Sequence, residues 1–162
     1  TAPFTFRVRV PEWAGSAQYS VNGAAQTHDG TGYVSINRAW ASGDAVELRL
    51  TMKVRLVRGE RFGNYVISPR EVAVFYGPRL YCFVDTRNPE IVPPFITLDL
   101  SEKIEADDPD HLKAWAQTAT GARTQVTLTP LANIGGRPNG IGRIHSVRTS
   151  FFNVWLPAVN DQ

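Results

Sequence analysis

From Val46 to Leu56 the chain alternates without interruption. Val46, Leu48, Leu50, Met52, Val54 and Leu56 are apolar, and Glu47, Arg49, Thr51, Lys53 and Arg55 between them are polar. Successive side chains of a β-strand point to opposite faces. A period of two over this length therefore predicts one long strand with a buried face and a wet one. On that register Leu48, Leu50, Met52 and Val54 are core residues, while Arg49 and Lys53 face solvent. No long stretch of the 162 residues keeps the 3.6-residue period of an amphipathic helix. The chain therefore has to fold as β-structure.

Other segments follow the same logic. Phe4, Phe6, Val8 and Val10 alternate with Thr5, Arg7 and Arg9, and Pro11 ends that strand. Tyr19 to Val21 runs into Asn22-Gly23, a tight-turn signal. Gly32 to Arg38 places Val34 and Ile36 inward, and Ser42-Gly43-Asp44 turns the chain into the long strand. Val72–Tyr76 and Leu80–Val84 are nearly continuous apolar runs broken by Gly77-Pro78. Such runs suit strands buried on both faces or crossing between sheets.

After Asp85 the texture changes. Arg87-Asn88-Pro89 and Val92-Pro93-Pro94 make a stiff connection. Short strands are predicted at Phe95–Leu100, Thr124–Thr129 and about 150–157, and Leu112–Gln117 reads as a strand or, alternatively, a helical turn, with an acidic loop from Ser101 and a glycine-rich loop from Asn133 to Gly142. The expected fold is all-β: an antiparallel β-sandwich, or two small packed sandwiches, with little helix. Residues 1–85 are expected to form the sandwich core. Residues 86–162 either continue it or form a second small subdomain.

Composition narrows the function classes. Hydrophobic residues make up 43% of the chain, enough for a packed core. The net charge is only +2, and its 14 Arg and 3 Lys are dispersed. A nucleic-acid partner is not expected from so weak a basic footprint. No apolar stretch approaches the ~20 residues that span a bilayer. The first residues read as a strand, so a signal peptide is absent or lies upstream, and the compartment stays open. Cys82 is the single cysteine and sits in the apolar run Leu80–Val84, where it reads as a small buried hydrophobe.

Few residues carry candidate chemistry. His28, His111 and His145 lie far apart and lack metal-ligand spacing, so they read as surface residues. Glu102, Glu105, Asp107, Asp108 and Asp110 form the one carboxylate cluster. It lacks a calcium-loop pattern and reads as a solvated loop. No nucleophile-elbow, phosphate-loop or dinucleotide motif occurs. Of the four tryptophans, Trp13, Trp40, Trp115 and Trp155, any exposed one offers a surface for stacking on a sugar ring. The alternative is that aromatics at strand ends close off the core.

Several motifs cluster at the start: F-x-x-R-V-P-x-W-A at Phe6–Ala14, V-N-G at Val21–Gly23, G-Y-V-x-I-x-R-x-W-x-x-G-D-x-V-x-L at Gly32–Leu48, then Met52. Together they resemble the β-sandwich region that follows the catalytic barrel in glycoside hydrolase family 127, the β-L-arabinofuranosidase family. Gly77–Asp85 (GPRLYCFVD) is similar to the family's G-P-L-V-Y-C-x-E segment, and Thr127–Ala132 and Phe152–Pro157 resemble its closing elements. The family's Y-Y-A-W-x-N-R stretch is here Leu131–Arg137 with a different sequence, which leaves the subfamily and its sugar open.

The resemblance implies a non-catalytic accessory module of a bacterial sugar-cleaving enzyme, soluble and either cytoplasmic or secreted. It implies a helical barrel of the same polypeptide as partner, because the family's zinc-bound cysteine nucleophile belongs to that barrel. Cys82 is therefore not assigned catalysis, and no catalytic, cofactor-binding or metal residue is expected in this chain. The alternative is a carbohydrate-binding module for plant-type, arabinose-containing oligosaccharides. An autonomous enzyme ranks third. Trp13, Trp40 and Trp155 are the candidate contacts with sugar or barrel. No membrane partner is expected, and a homodimer is left open.

Overall fold

A computed structural model describes residues 1–62, 65–134 and 152–160. Among these the fold is all-β, and the only helix is two 3-10 turns, Asp85–Arg87 and Leu131–Asn133. The chain divides into two compact units, Thr1–Lys53 and Val54–Gln162. The expected boundary at residue 85 falls inside the second unit.

The first unit holds strands β1 (Ala2–Val10), β2 (Ala14–Val21), β3 (Ala24–Asp29), β4 (Gly32–Trp40) and β5 (Val46–Met52). β1 and β4 form an antiparallel ribbon, and β2 is the centre of a three-stranded sheet between β3 and β5. The β2–β3 turn sits on Asn22 (φ 51°) and Gly23 (φ 83°). Two consecutive positive φ values define the turn type that matches the twist of a hairpin, and they explain this residue pair. β3 itself was not foreseen, because Ala-Ala-Gln-Thr-His-Asp shows no apolar alternation. It is held by its ladder to β2.

Only Val10, Ala14, Ala17 and Val34 are fully buried in this unit, with Trp13, Tyr19, Ile36, Leu48 and Leu50 packed against them. Leu48, Leu50 and Met52 lie on the expected face but are half-buried, and Arg49 and Lys53 are exposed as predicted. A larger correction concerns β1. Phe4 is 50% and Phe6 42% exposed. The period-two pattern selected their face correctly, but the core covers only the Val10–Val34 end of the ribbon.

The second unit begins with β6 (Val54–Arg58), β7 (Arg61–Phe62), β8 (Tyr65–Val66), β9 (Glu71–Tyr76) and β10 (Arg79–Val84). It continues with β11 (Ile96–Asp99), β12 (Glu105–Asp108), β13 (His111–Thr118), β14 (Arg123–Pro130), β15 (Phe152–Asn153) and β16 (Leu156–Val159). Nine of these strands form one sheet in the order β15-β10-β14-β13-β11-β16-β9-β6, with β12 on β13. β9 also pairs with β10, so the ladder returns on itself around the sandwich. Every pairing is antiparallel except β11–β16.

Three expectations change here. The single strand Val46–Leu56 is two strands: β5 pairs with β2, and β6 pairs with β9, with Lys53 between them. Alternation does not reveal a change of partner, because the pleat keeps its period across the junction. The acidic stretch forms β12, an outer strand whose side chains are all exposed, so no apolar face marks it. The predicted last strand is divided into β15 and β16, which pair with β10 and with β11 and β9 respectively. The loop expected at Asn133–Gly142 lies outside the described residues beyond Ile134.

The continuous apolar runs are buried on both faces, as read. Val72, Ala73 and Val74 of β9 and Tyr81, Cys82, Phe83 and Val84 of β10 are all buried. The core adds Leu98, Leu112, Ala114, Ala116, Val126, Leu128 and Leu156. The Asn88 amide is buried and fully used. It donates to Val84 O (2.8 Å) and Thr127 O (3.0 Å) and accepts from Thr127 N (2.8 Å), tying the 3-10 turn to β14.

Candidate functional site

In β1 and β4 the register brings Ala2, Phe4, Phe6 and Val8 onto one face with Trp40, Arg38, Ile36 and Val34. Phe4 stacks on Trp40 with ring centroids 5.5 Å apart, and Phe6 meets the indole edge-on at 5.9 Å. The Arg38 guanidinium lies 5.1 Å from the Trp40 centroid. The indole Nε1 donates to Phe4 O at 3.0 Å. Trp40 is therefore engaged within its own ribbon, and the exposed apolar surface belongs chiefly to Phe4 and Phe6. The rings stand at 27° and 67° to the indole, so they do not form one flat platform.

The adjacent loop is fixed by polar contacts. Asp44 accepts from Ala41 N (2.9 Å) and Asn22 Nδ2 (2.7 Å) and lies 3.5 Å from Arg38. These hold its carboxyl below the ordinary carboxylate range, the Ala41 amide most and Asn22 next.

Trp13 is half-buried against the small core of the first unit. Trp155 is half-buried in the bend between β15 and β16 of the second. The three candidate tryptophans thus occupy three different settings, two in one unit and one in the other.

The fourth tryptophan has the most developed surroundings. In β13, Leu112, Ala114 and Ala116 point to the core. Lys113, Trp115 and Gln117 therefore take the outer face. Gln125 of β14 and Asp99 of β11 are the register partners of Trp115 on either side. Arg123 lies over the indole, its guanidinium carbon 4.3 Å from the centroid. Its Nε donates to Asp99 Oδ2 at 2.9 Å.

Asp99, only 4% exposed, also accepts from Ser101 N (3.1 Å), Ser101 Oγ (2.7 Å) and Asn160 Nδ2 (3.0 Å). These donors, Ser101 first, then Asn160 and Arg123, hold its carboxyl far below the ordinary range. Beside the indole is a cavity of about 340 Å³ lined by Ser101, Glu102, Lys103, Glu105, Lys113, Trp115 and Gln125. Sequence reasoning treated Trp115 only as one of four. The readable signal was its place among the polar residues of an alternating strand.

Cys82 is buried, and its thiol donates to Thr129 O at 3.3 Å. Burial pushes its pKa up to about 12, so at neutral pH it is a thiol and a poor nucleophile. The carboxylates of the acidic stretch serve the local fold. Asp108 accepts from Asp110 N (2.6 Å) and contacts His111 Nδ1 (2.9 Å). His111 first, then the Asp110 amide, holds the Asp108 carboxyl below its usual range. Asp110 pairs with Arg79 at 2.8 Å. No group of three or more potential ligands among the described residues is arranged to hold a metal. His28 is half-buried on β3, and His145 lies outside the described residues. No helix among the described residues is long and apolar enough to cross a membrane.

Residues 1–52 match the family model described as Beta-L-arabinofuranosidase, GH127 middle domain. The resemblance read from the opening motifs is thus matched by a family model over residues 1–52, about the first third of the chain. No curated protein matches the chain. Several solved structures share the fold, three of them as follows. One, titled only as a glycoside hydrolase, matches with a TM-score of 0.69 and 22% identity over 99% of this chain and 28% of its own. A GH127 β-L-arabinofuranosidase from Geobacillus stearothermophilus matches with a TM-score of 0.69 and 20% identity over 98% of this chain and 27% of its own. A GH127 β-arabinofuranosidase matches with a TM-score of 0.62 and 23% identity over 98% of this chain and 28% of its own. The chain thus spans little more than a quarter of the structures it matches.

Proposed function

We propose that this chain is a non-catalytic β-sandwich region of a glycoside hydrolase of the β-L-arabinofuranosidase type. Its partner in this reading is a catalytic helical barrel of the same polypeptide. The observation that carries the proposal is the match of residues 1–52 to the GH127 middle domain, a domain that by its description sits within a longer enzyme. Two features support it. The sole cysteine is buried with a raised pKa, which removes it as a nucleophile. The face built by Phe4 and Phe6 leaves two large apolar rings exposed in a unit with a very small core. Contiguous apolar surface of this kind marks an interaction site. The occupant proposed is the remainder of the enzyme, because the matched structures are more than three times as long as this chain.

The test has two arms. The purified chain is expected to release no product from an aryl L-arabinofuranoside, whereas the full polypeptide does. In the full polypeptide, Phe4→Ser with Phe6→Ser is expected to lower the melting temperature by several degrees, with little effect in the isolated chain. Turnover by the isolated chain that disappears in Cys82→Ser would overturn the proposal. An unchanged melting temperature in the full polypeptide would remove this face as the contact.

A further inference from the structure

We propose that the outer face of β12, β13 and β14 carries a binding site for a neutral saccharide, with the Trp115 indole as its apolar wall. The cavity of about 340 Å³ beside that ring lies at the lower end of the range for small-ligand sites. Its lining has the two components that a sugar ring requires. The indole supplies a flat apolar surface for the C–H face of the ring. Glu105 supplies acceptors, as do Glu102, which also lies 3.6 Å from the Arg123 guanidinium, and the Ser101 hydroxyl oxygen, whose proton is committed to Asp99; Lys103 and Lys113 supply donors, and Gln125 supplies both.

The charges decide the ligand class. The cavity is lined by two carboxylates and two ammonium groups, with no net charge. A phosphodiester or a uronate chain would meet Glu102 and Glu105, and an organic cation would meet Lys103 and Lys113. A neutral polyol can use both sets through its hydroxyls. Lys113 is already oriented by its hydrogen bond to Thr127 Oγ1 at 2.8 Å.

The aromatic wall is fixed in advance. Arg123 lies over the indole and does not line the cavity, so the guanidinium leaves another part of the ring surface facing the ligand. Asp99 anchors Arg123, and Ser101 and Asn160 anchor Asp99. A half-buried indole and an exposed arginine held by a buried carboxylate lose little freedom when a ligand arrives, and preorganisation of this kind favours affinity.

The site stands on geometry. The choice of an arabinose-containing ligand rests on the function proposed above. The experiment is isothermal titration of the full 162-residue chain with L-arabinose, an arabinan-derived oligosaccharide, a cello-oligosaccharide and a uronate oligosaccharide. Saturable binding of a neutral probe is expected, about tenfold weaker in Trp115→Ala and several-fold weaker in Gln125→Ala. Gln125 is exposed, so its variant keeps the fold and guards against a loss caused by misfolding. Binding of arabinose probes supports both the site and the sugar. Binding of the cello-oligosaccharide alone supports the site and counts against the arabinofuranosidase reading. No saturable binding, binding of the uronate alone, or binding unchanged in both variants overturns the site. Saturable binding by the isolated chain that is lost in the full polypeptide would also overturn it, because the face would then be an interdomain contact.

Discussion

In the first unit four residues are fully buried, and two of them are alanines: Val10, Ala14, Ala17 and Val34. Among the described residues of the second the buried cluster has thirteen members, including Tyr81, Phe83, Leu98, Leu112, Leu128 and Leu156. Both units are built from the same alternating strands. The difference lies in where the large apolar side chains go. The second unit encloses the large side chains just named in a ladder that returns on itself and leaves Val92, Phe95 and Val159 exposed. The first leaves Phe4, Phe6 and Tyr33 on its surface. A chain of about 60 residues buries only about 60% of the surface that its unfolded state exposes, so a small unit that also wastes its aromatics gains little from its own core. Its apolar residues are better suited to covering, or being covered by, something else.

This contrast can be broken by mutation. The largest effect is expected for Leu128→Ala, which opens a cavity in the second core and should cost about 2–5 kcal/mol in urea denaturation. Cys82→Ser, in the same unit, should cost about 1–2 kcal/mol, because the buried hydroxyl is more polar than the thiol but keeps the Thr129 carbonyl as its acceptor. The native thiol should react with alkylating reagents at pH 8 only on unfolding, consistent with a pKa pushed up to about 12. Leu50→Ala, on a half-buried side chain of the first unit, should cost about 1 kcal/mol. A cost equal to that of Leu128→Ala would show that the two cores are not different in kind.

A pH titration sharpens the same comparison. Asp99 is held below the ordinary carboxylate value of about 3.9 by donors that exist only in the fold. Its folded pKa is depressed, so its contribution is present above that value and is lost as pH falls below about 4. Urea midpoints at pH 7, 5 and 3 should show the second unit losing stability in acid. Asp99→Asn should flatten that loss to the part contributed by Asp108. A slope unchanged in the variant would mean that the carboxylate network is not what acid disrupts. The smallest effect belongs to Thr51→Ala on the exposed face of β5, within about 0.5 kcal/mol. A larger cost there than at Leu50 would reverse the assigned faces.

Much of this was legible in the chain itself. Period-two alternation determined the all-β class and the face of nearly every long strand, because a pleated strand has no other way to separate apolar from polar side chains. The Asn22-Gly23 pair set a hairpin, and the opening motifs set the family resemblance. The depth of burial was decided elsewhere. Phe4 and Val10 belong to the same pattern on the same strand, yet one is half in water and the other fully enclosed, since only the end of the ribbon near Val34 is covered. The junction at Lys53 was hidden because the pleat continues while hydrogen-bonding partners change from β2 to β9. β12 was hidden because it is an exposed strand whose partners, not its own residues, make it β. The Trp115 site needed Asp99, Arg123 and Asn160 to meet from three distant points of the chain. A sequence specifies local geometry through short-range sterics and periodicity, whereas coverage, strand partnership and convergence of side chains are long-range properties that exist only once the sheet has closed.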